Sequence, residues 1–294
     1  MNARLKEHSL DIFIIGLLAI IGIATLFPIY YVFVVSFTDP LEYVQKQGFI
    51  LFPERWSTAA YQYLLSSGSF LSALGVSTFL SVVGTALSLI LTSAMAYALS
   101  RKRIIGRKVI MILILFTILF SPGMIPPYLL VRDLGLLDSI WSLILPVLTS
   151  GWYVILMKSF FDNIPLELEE SALMDGCNDL GVFFRIMIPL ALPAMAAFGL
   201  FYAVSYWNTF FHAVLYINDP GKWPLQVLLR NMLIESSTAS GGGSNAVEML
   251  SEQNIPTQTL KMAAVVIATL PILFVYPFLQ KHFAKGVMLG SVKG

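Results

Sequence analysis

Charge is what this sequence has least of. Of 294 residues 12% are charged, about half the roughly 25% of an ordinary soluble domain. The few charges sit in short patches, so the apolar runs between them set the architecture. A net charge of +1 suggests no nucleic-acid partner. The single cysteine, Cys177, excludes an intramolecular disulfide framework and gives no sign of a metal site. His8, His212 and His282 are scattered, too far apart in sequence to suggest a catalytic cluster. A G-x-x-x-x-G-K-[ST] phosphate loop is also missing. The one Gly-Lys pair, Gly221-Lys222, has Tyr216 where the first glycine should stand, so any nucleotide hydrolysis must occur on a partner.

What is present is a series of uncharged runs. Six are long enough to cross a bilayer as helices, which takes about 20 apolar residues each. They predict spans over residues 11–38, 70–100, 108–131, 138–160, 184–217 and 260–281. Helices are expected because each satisfies its own backbone hydrogen bonds in lipid. A β-barrel would need apolar and polar residues alternating with period two, and these runs do not alternate. The first run is too long, and Phe27-Pro-Ile-Tyr-Tyr31 too poor in small residues, for a cleaved signal peptide. Lys and Arg bias orients the chain. With the N-terminus in the cytoplasm, twelve of the 18 Lys and Arg residues fall inside, Arg101-Lys-Arg-Ile-Ile-Gly-Arg-Lys108 being the largest group. Both termini are then expected in the cytoplasm of a multi-pass membrane protein.

Two outer connections are substantial, residues 39–69 and 218–258. The first, with Pro, Trp and Tyr, reads as ordered. The second contains Ser236-Ser-Thr-Ala-Ser-Gly-Gly-Gly-Ser-Asn245, a flexible composition. Ser121-Pro-Gly-Met-Ile-Pro-Pro127 cannot continue a regular helix, since proline removes a donor and clashes with the preceding turn. Pro189, Pro193, Pro271 and Pro277 predict kinks in the last two spans.

Between the fourth and fifth spans lies an acidic segment, residues 163–183, with Glu167, Glu169, Glu170, Asp175 and Asp179 and no basic residue. Pro165 fits the first turn of a helix, and the glutamates complement its dipole. Asp175-Gly176 ends it, glycine permitting positive φ. A second short helix starts at Asn178 and runs into the fifth span. Such a helix–turn–helix can pass a push from outside the membrane into the bundle.

Glu170-Ser-Ala-Leu-Met-Asp-Gly-Cys177, followed by Phe184-Arg-Ile-Met-Ile-Pro-Leu-Ala-Leu-Pro193, resembles the EAA motif of ABC-importer permease subunits, with Ser171 and Cys177 in place of the usual alanines. Ala96-Tyr-Ala-Leu-Ser-Arg101, Gly123-Met-Ile-Pro-Pro-Tyr128, Leu134-Gly-Leu-Leu137, Tyr206-Trp-Asn208 and Gly290-Ser-Val-Lys-Gly294 are similar to the carbohydrate branch, the relatives of the maltose permease subunit MalG. The long second outer loop and Ile255-Pro-Thr-Gln-Thr-Leu260 resemble the LplC/YtcP-like permeases, which implies complex sugars such as pectin fragments.

The resemblance implies an all-α type I importer permease fold with a short EAA coupling helix. It also implies a second permease subunit, two ATPase subunits carrying ATP and Mg, and an extracytoplasmic sugar-binding protein. No cofactor is expected on this chain. By position, Glu170, Ala172, Asp175 and Gly176 dock on the ATPase, and Gly290, Ser291, Val292, Lys293 and Gly294 reach it from the tail. Gly241, Gly242, Gly243 and Asn245 lie in the loop that meets the binding protein. Tyr206, Trp207, Asn208 and Tyr128 are substrate-path candidates, with packing or an interfacial aromatic belt as the plainer reading. His212 is expected near the outer end of the fifth span, interfacial or hydrogen-bonded. The rivals are an ion-coupled secondary transporter, which calls for charged residues inside the spans, and a membrane-embedded enzyme, which calls for clustered catalytic groups. Neither pattern is found.

Overall fold

The computed structural model describes the backbone of residues 2–46, 49–238 and 255–286, with side chains from 11 to 234 and 255 to 275 within those ranges. The Gly241, Gly242, Gly243 and Asn245 loop and the Gly290–Gly294 tail, Ser291, Val292 and Lys293 included, lie outside them. Every regular element among the described residues is helical, with one isolated bridge between Thr38 and Trp56.

In chain order the helices are α1 (Asn2–Ser36), α2 (Pro40–Gln45), α3 (Ala59–Ser66), α4 (Gly68–Ser100), α5 (Arg107–Leu119), α6 (Ile125–Asp133), α7 (Gly151–Asp162), α8 (Leu166–Met174), α9 (Asp179–Leu190), α10 (Leu192–Trp207), α11 (Phe211–Tyr216), α12 (Leu225–Thr238) and α13 (Thr257–Gly286). Three stretches cross a bilayer unbroken by length and composition, Asp11–Ser36, Gly68–Ser100 and Thr257–Val275. Two more predicted spans are bent pairs. The fourth joins 3₁₀ turns over Ile140–Val147 to α7 at 51°, and the fifth joins α9 to α10 at 81°.

The third predicted span is interrupted. Its first piece, α5, has 13 residues, about 20 Å at 1.5 Å per residue and short of the ~30 Å hydrocarbon layer. The chain leaves the helix at Phe120, turns through Gly123 at φ +76° and restarts as α6 with prolines in its first turn. The prolines of the fifth span flank its break at Ala191. Those of the sixth do not interrupt it, since α13 runs helically through Pro271 and Pro277.

The chain forms two compact units, Met1–Gly68 with Leu229–Leu270, and Ser69–Leu228 with Pro271–Gly294. In the first, the described part of the 39–69 connection is built around Glu42, which is 6% exposed. Its carboxylate accepts hydrogen bonds from the Glu54 amide (2.9 and 3.0 Å) and the Arg55 amide (2.9 Å), and pairs with Lys46 at 2.9 Å. Burial alone would raise this carboxyl, but those amides and the Lys46 ammonium outweigh it and bring it from 4.5 to about 2.

In the second unit, α4 packs along α7 and α10. Toward its start Val76 and Leu80 meet Val131, Tyr202, Tyr206 and Tyr216. Toward its end Ala96 and Tyr97 meet Met157, Phe161, Ala172, Val182, Phe183 and Met187. This second cluster seats α8 and α9 against the spans. Midway, α4 carries a π turn at Leu80–Gly84, where the Tyr206 ring lies over Gly84. A Cβ there would come within 2.7 Å of the ring.

Candidate coupling segment and transport cavity

The acidic segment folds as its residue types dictate. α8 carries Glu167 and Glu169 in its first turn, where carboxylates oppose the positive helix end. It stops at Met174, and Gly176 takes φ +82°. The Asn178 side chain caps α9, its Oδ1 accepting from the Gly181 amide at 2.8 Å. A π turn at Phe183–Met187 then leads to the bend at Ala191.

One acid of α8 points inward. Glu169, 6% exposed, pairs with Arg101 at the end of α4, itself 5% exposed. Arg101 also lies 4.9 Å over the Tyr97 ring and donates from Nε to Ser100 Oγ at 2.9 Å. From the same turn Arg103 pairs with Asp179, the first residue of α9, and reaches Glu169 at 3.8 Å. Residues 101–103 therefore hold both limbs of the helix–turn–helix. Removing one partner of a buried pair costs about 3–5 kcal/mol, because the other charge is left uncompensated.

The outward face carries Glu170, Asp175 and Gly176, together with Leu166 (50% exposed), Met174 (89%) and Leu180 (67%). Ala172 does not belong to that face. It is buried among the packing residues Val182 and Phe183, so its small side chain serves close approach rather than surface contact.

A cavity of about 790 Å³ opens between α5, the Leu143–Tyr153 stretch, α10 and α11, within the range of ligand sites. Tyr206 and Asn208 line it. Tyr206 is 3% exposed, with its hydroxyl 2.9 Å from Ser88 Oγ. Asn208 donates from Nδ2 to the Val204 carbonyl at 2.9 Å and accepts from Gln226 Nε2 at 3.3 Å. The other two path candidates lie elsewhere. Trp207, one helical step round from Tyr206, borders a separate apolar pocket of about 80 Å³ with Leu200 and Pro271. Tyr128 stacks on Tyr216, centroids 6.4 Å apart. The lining also includes Tyr202, which shares a helical face with Tyr206 in the sequence, and Trp152, Tyr153, Phe211 and His212, which the sequence does not single out as path residues.

At the far end of α4 a second cluster fixes the connection before α12. Ser72 Oγ donates to the Gly221 carbonyl at 2.8 Å, and buried Ser77 Oγ accepts from the Leu225 amide at 2.8 Å. Asp138 accepts from the Asn218 and Asp219 amides at 3.1 and 2.9 Å, with Lys222 alongside at 3.7 Å. The Asp219 amide, against an opposing burial cost, and then the Asn218 amide and Lys222 hold this carboxyl below its usual value.

The profile of the binding-protein-dependent transport system inner membrane component family matches residues 90–289. The chain belongs to that family. The polygalacturonan/rhamnogalacturonan transport system permease YtcP of Bacillus subtilis is 52% identical over 290 residues, covering 99% of this chain and 100% of YtcP. Protein LplC of Bacillus subtilis is 50% identical, covering 93% and 91%. A crystal structure of a bacterial ABC transporter involved in import of the acidic polysaccharide alginate superposes with a TM-score of 0.86 at 34% identity, covering 95% of this chain and 98% of that one.

This permease is thus an inner membrane component with the ABC-importer permease fold, in which several helices cross the membrane. The family match begins inside α4 and takes in both the coupling segment and the cavity. What the sequence left hidden in the permease is the Arg101–Glu169 pair, the Arg103–Asp179 pair and most of the cavity wall. The only signal for the pairs was the basic cluster at 101–108, which reads equally well as a topology determinant.

Proposed function

We propose that this permease is one half of the membrane pathway of an ATP-driven importer of oligosaccharides, and that it carries no catalytic step itself. It works by alternating access beside a second, similar permease. Two ATPase subunits holding ATP and Mg sit beneath, and a sugar-binding protein delivers from outside. Both termini face the cytoplasm, in keeping with the Lys and Arg bias. The observation that carries the reading is the α8–α9 helix–turn–helix. Its Glu170, Asp175 and Gly176 face outward, and it is clamped to α4 and continuous with α10. An ATPase pushing on that face moves two spans at once. The Gly290–Gly294 tail adds a second ATPase contact, and the Gly241–Asn245 loop meets the binding protein.

The substrate class follows the relatives. YtcP is a polygalacturonan/rhamnogalacturonan permease, and the alginate importer handles an acidic polysaccharide. All three polymers are built with uronate sugars, so oligosaccharides containing uronates are the proposed cargo. A cavity lined by aromatic rings, hydroxyls and an amide suits sugar faces and sugar hydroxyls. The test is uptake of labelled trigalacturonate into proteoliposomes holding both permeases and the ATPase pair, with binding protein outside. Uptake that requires ATP in the ATPase compartment and the binding protein is expected. Uptake driven by a proton or sodium gradient without ATP would replace this reading with a secondary transporter.

A further inference from the structure

The transport cavity has an unusual electrostatic composition for a uronate path. Among the described residues its lining contains no Asp, Glu, Lys or Arg. A carboxylate entering a site without cations loses hydration and gains no opposite charge in return. One lining residue can answer it. His212 is the only imidazole among the described lining residues, and its ring N–H can donate to a carboxylate. The remaining titratable groups of the wall are the tyrosines Tyr153, Tyr202 and Tyr206.

His212 is placed to bind something other than its own chain. It is exposed. Its ring is held by stacking on Tyr216, centroids 5.8 Å apart at 29°, and by the edge of Phe211 at 6.1 Å. Among the described residues no hydrogen bond engages either ring nitrogen, whereas the nearby polar side chain Asn208 is already committed to Val204 and Gln226. Two aromatic surfaces border the same space, Trp152 at 57% and Phe211 at 52% exposure. A sugar ring stacked on Phe211 lies beside the imidazole.

We infer that His212 recognises the carboxylate of a uronate residue in this cavity, while the aromatic wall takes the sugar faces that acidic and neutral sugars share. This rests on the oligosaccharide-import reading above and narrows it to a selectivity determinant. An imidazole N–H to carboxylate bond is charge-assisted, and its loss costs about tenfold or more in affinity.

The test is a fluorescence titration of the purified complex of this chain, the second permease and the ATPase pair, without binding protein, so that the binding protein's own preference does not enter. Trigalacturonate and its methyl ester are the probes, and tryptophan emission is the signal, Trp152 lying in the wall. His212→Gln is expected to weaken trigalacturonate about tenfold while leaving the ester within about twofold, and His212→Lys is expected to restore preference for the acid. Equal effects on both probes overturn the assignment, as does no effect on either or no saturable binding of trigalacturonate by wild type. Loss of the second permease from the His212→Gln complex overturns it too, by making the residue a subunit contact. Failure here with ATP-dependent uptake intact rejects His212 alone, whereas failure of uptake rejects the import reading itself.

Discussion

At the scale of single residues, two positions make the fold's demands explicit. Gly84 lies under the Tyr206 ring, where a Cβ would stand 2.7 Å from ring atoms. Gly84→Ala must therefore displace a ring already bonded to Ser88, at about 1–3 kcal/mol, whereas Ser88→Ala loses one hydrogen bond, about 1 kcal/mol. In detergent the thermal midpoint should fall further for Gly84→Ala than for Ser88→Ala; the reverse order would contradict the close approach. Glu42 gives a pH prediction. Its carboxyl is lowered from 4.5 to about 2, so the stability it confers is complete above the higher value and is lost as pH falls between the two. Amide protection of Glu54 and Arg55 should drop as pH is taken from about 5 to 3, and Glu42→Gln should be weakly protected at every pH. Protection unchanged across that range would show that Glu42 does not hold the loop. The sequence marks the turn at Gly176 and the cap at Asn178 because both are local backbone chemistry. Local chemistry does not show which of Glu167, Glu169 and Glu170 turns inward. All three are acids of one short helix, and only contact with a residue 68 positions away turns Glu169 inward.

At the scale of elements, α4 joins the two ends of the second unit. Its first turns bind the connection before α12 through Ser72 and Ser77, and its last residues lead into the Arg101–Arg103 turn that holds α8 and α9. With 33 residues it is about 50 Å long. Glu169→Ala leaves Arg101 buried and unpaired, and about 3–5 kcal/mol is expected to be lost from the seating of α8. Hydrogen exchange should then rise across 166–182 while α10 stays protected. The double variant Arg101→Met, Glu169→Leu should recover much of that loss, since well-packed apolar residues can replace a buried pair. Exchange unchanged in Glu169→Ala would mean the pair contributes nothing to holding the segment. Of the predicted spans, the first, second and sixth form unbroken helices, although Pro28 lies inside the first and Pro271 and Pro277 inside the sixth, because long apolar runs have one stable form in lipid. By run length the third reads as a single crossing, even with its proline run. Run length alone cannot tell that α5 stops at 13 residues and that the chain restarts as a separate helix. Trp207 and Tyr206 are neighbours in one motif, and the 100° step between successive helical residues sends Tyr206 to the cavity and Trp207 to the apolar pocket.

At the scale of the whole molecule, much apolar surface is left uncovered by the described residues. None of the most apolar window of Asp11–Ser36 is buried, and on α5 Ile112, Leu113, Phe116 and Leu119 are exposed. Surface of that extent calls for lipid or another membrane subunit, as expected of one permease in a paired assembly. The central claim is that the α8–α9 face is where an ATP-hydrolysing partner pushes. The most direct measurement is co-purification of the ATPase with wild type, Glu170→Lys and Gly176→Pro, each checked for an intact complex with the second permease. Glu170→Lys reverses an exposed charge on the face, and Gly176→Pro forbids φ +82° because proline is locked near −65°. The account predicts that wild type brings down the ATPase and that both variants lose it while keeping the second permease. ATPase retained by both variants with normal sugar-stimulated hydrolysis would contradict it.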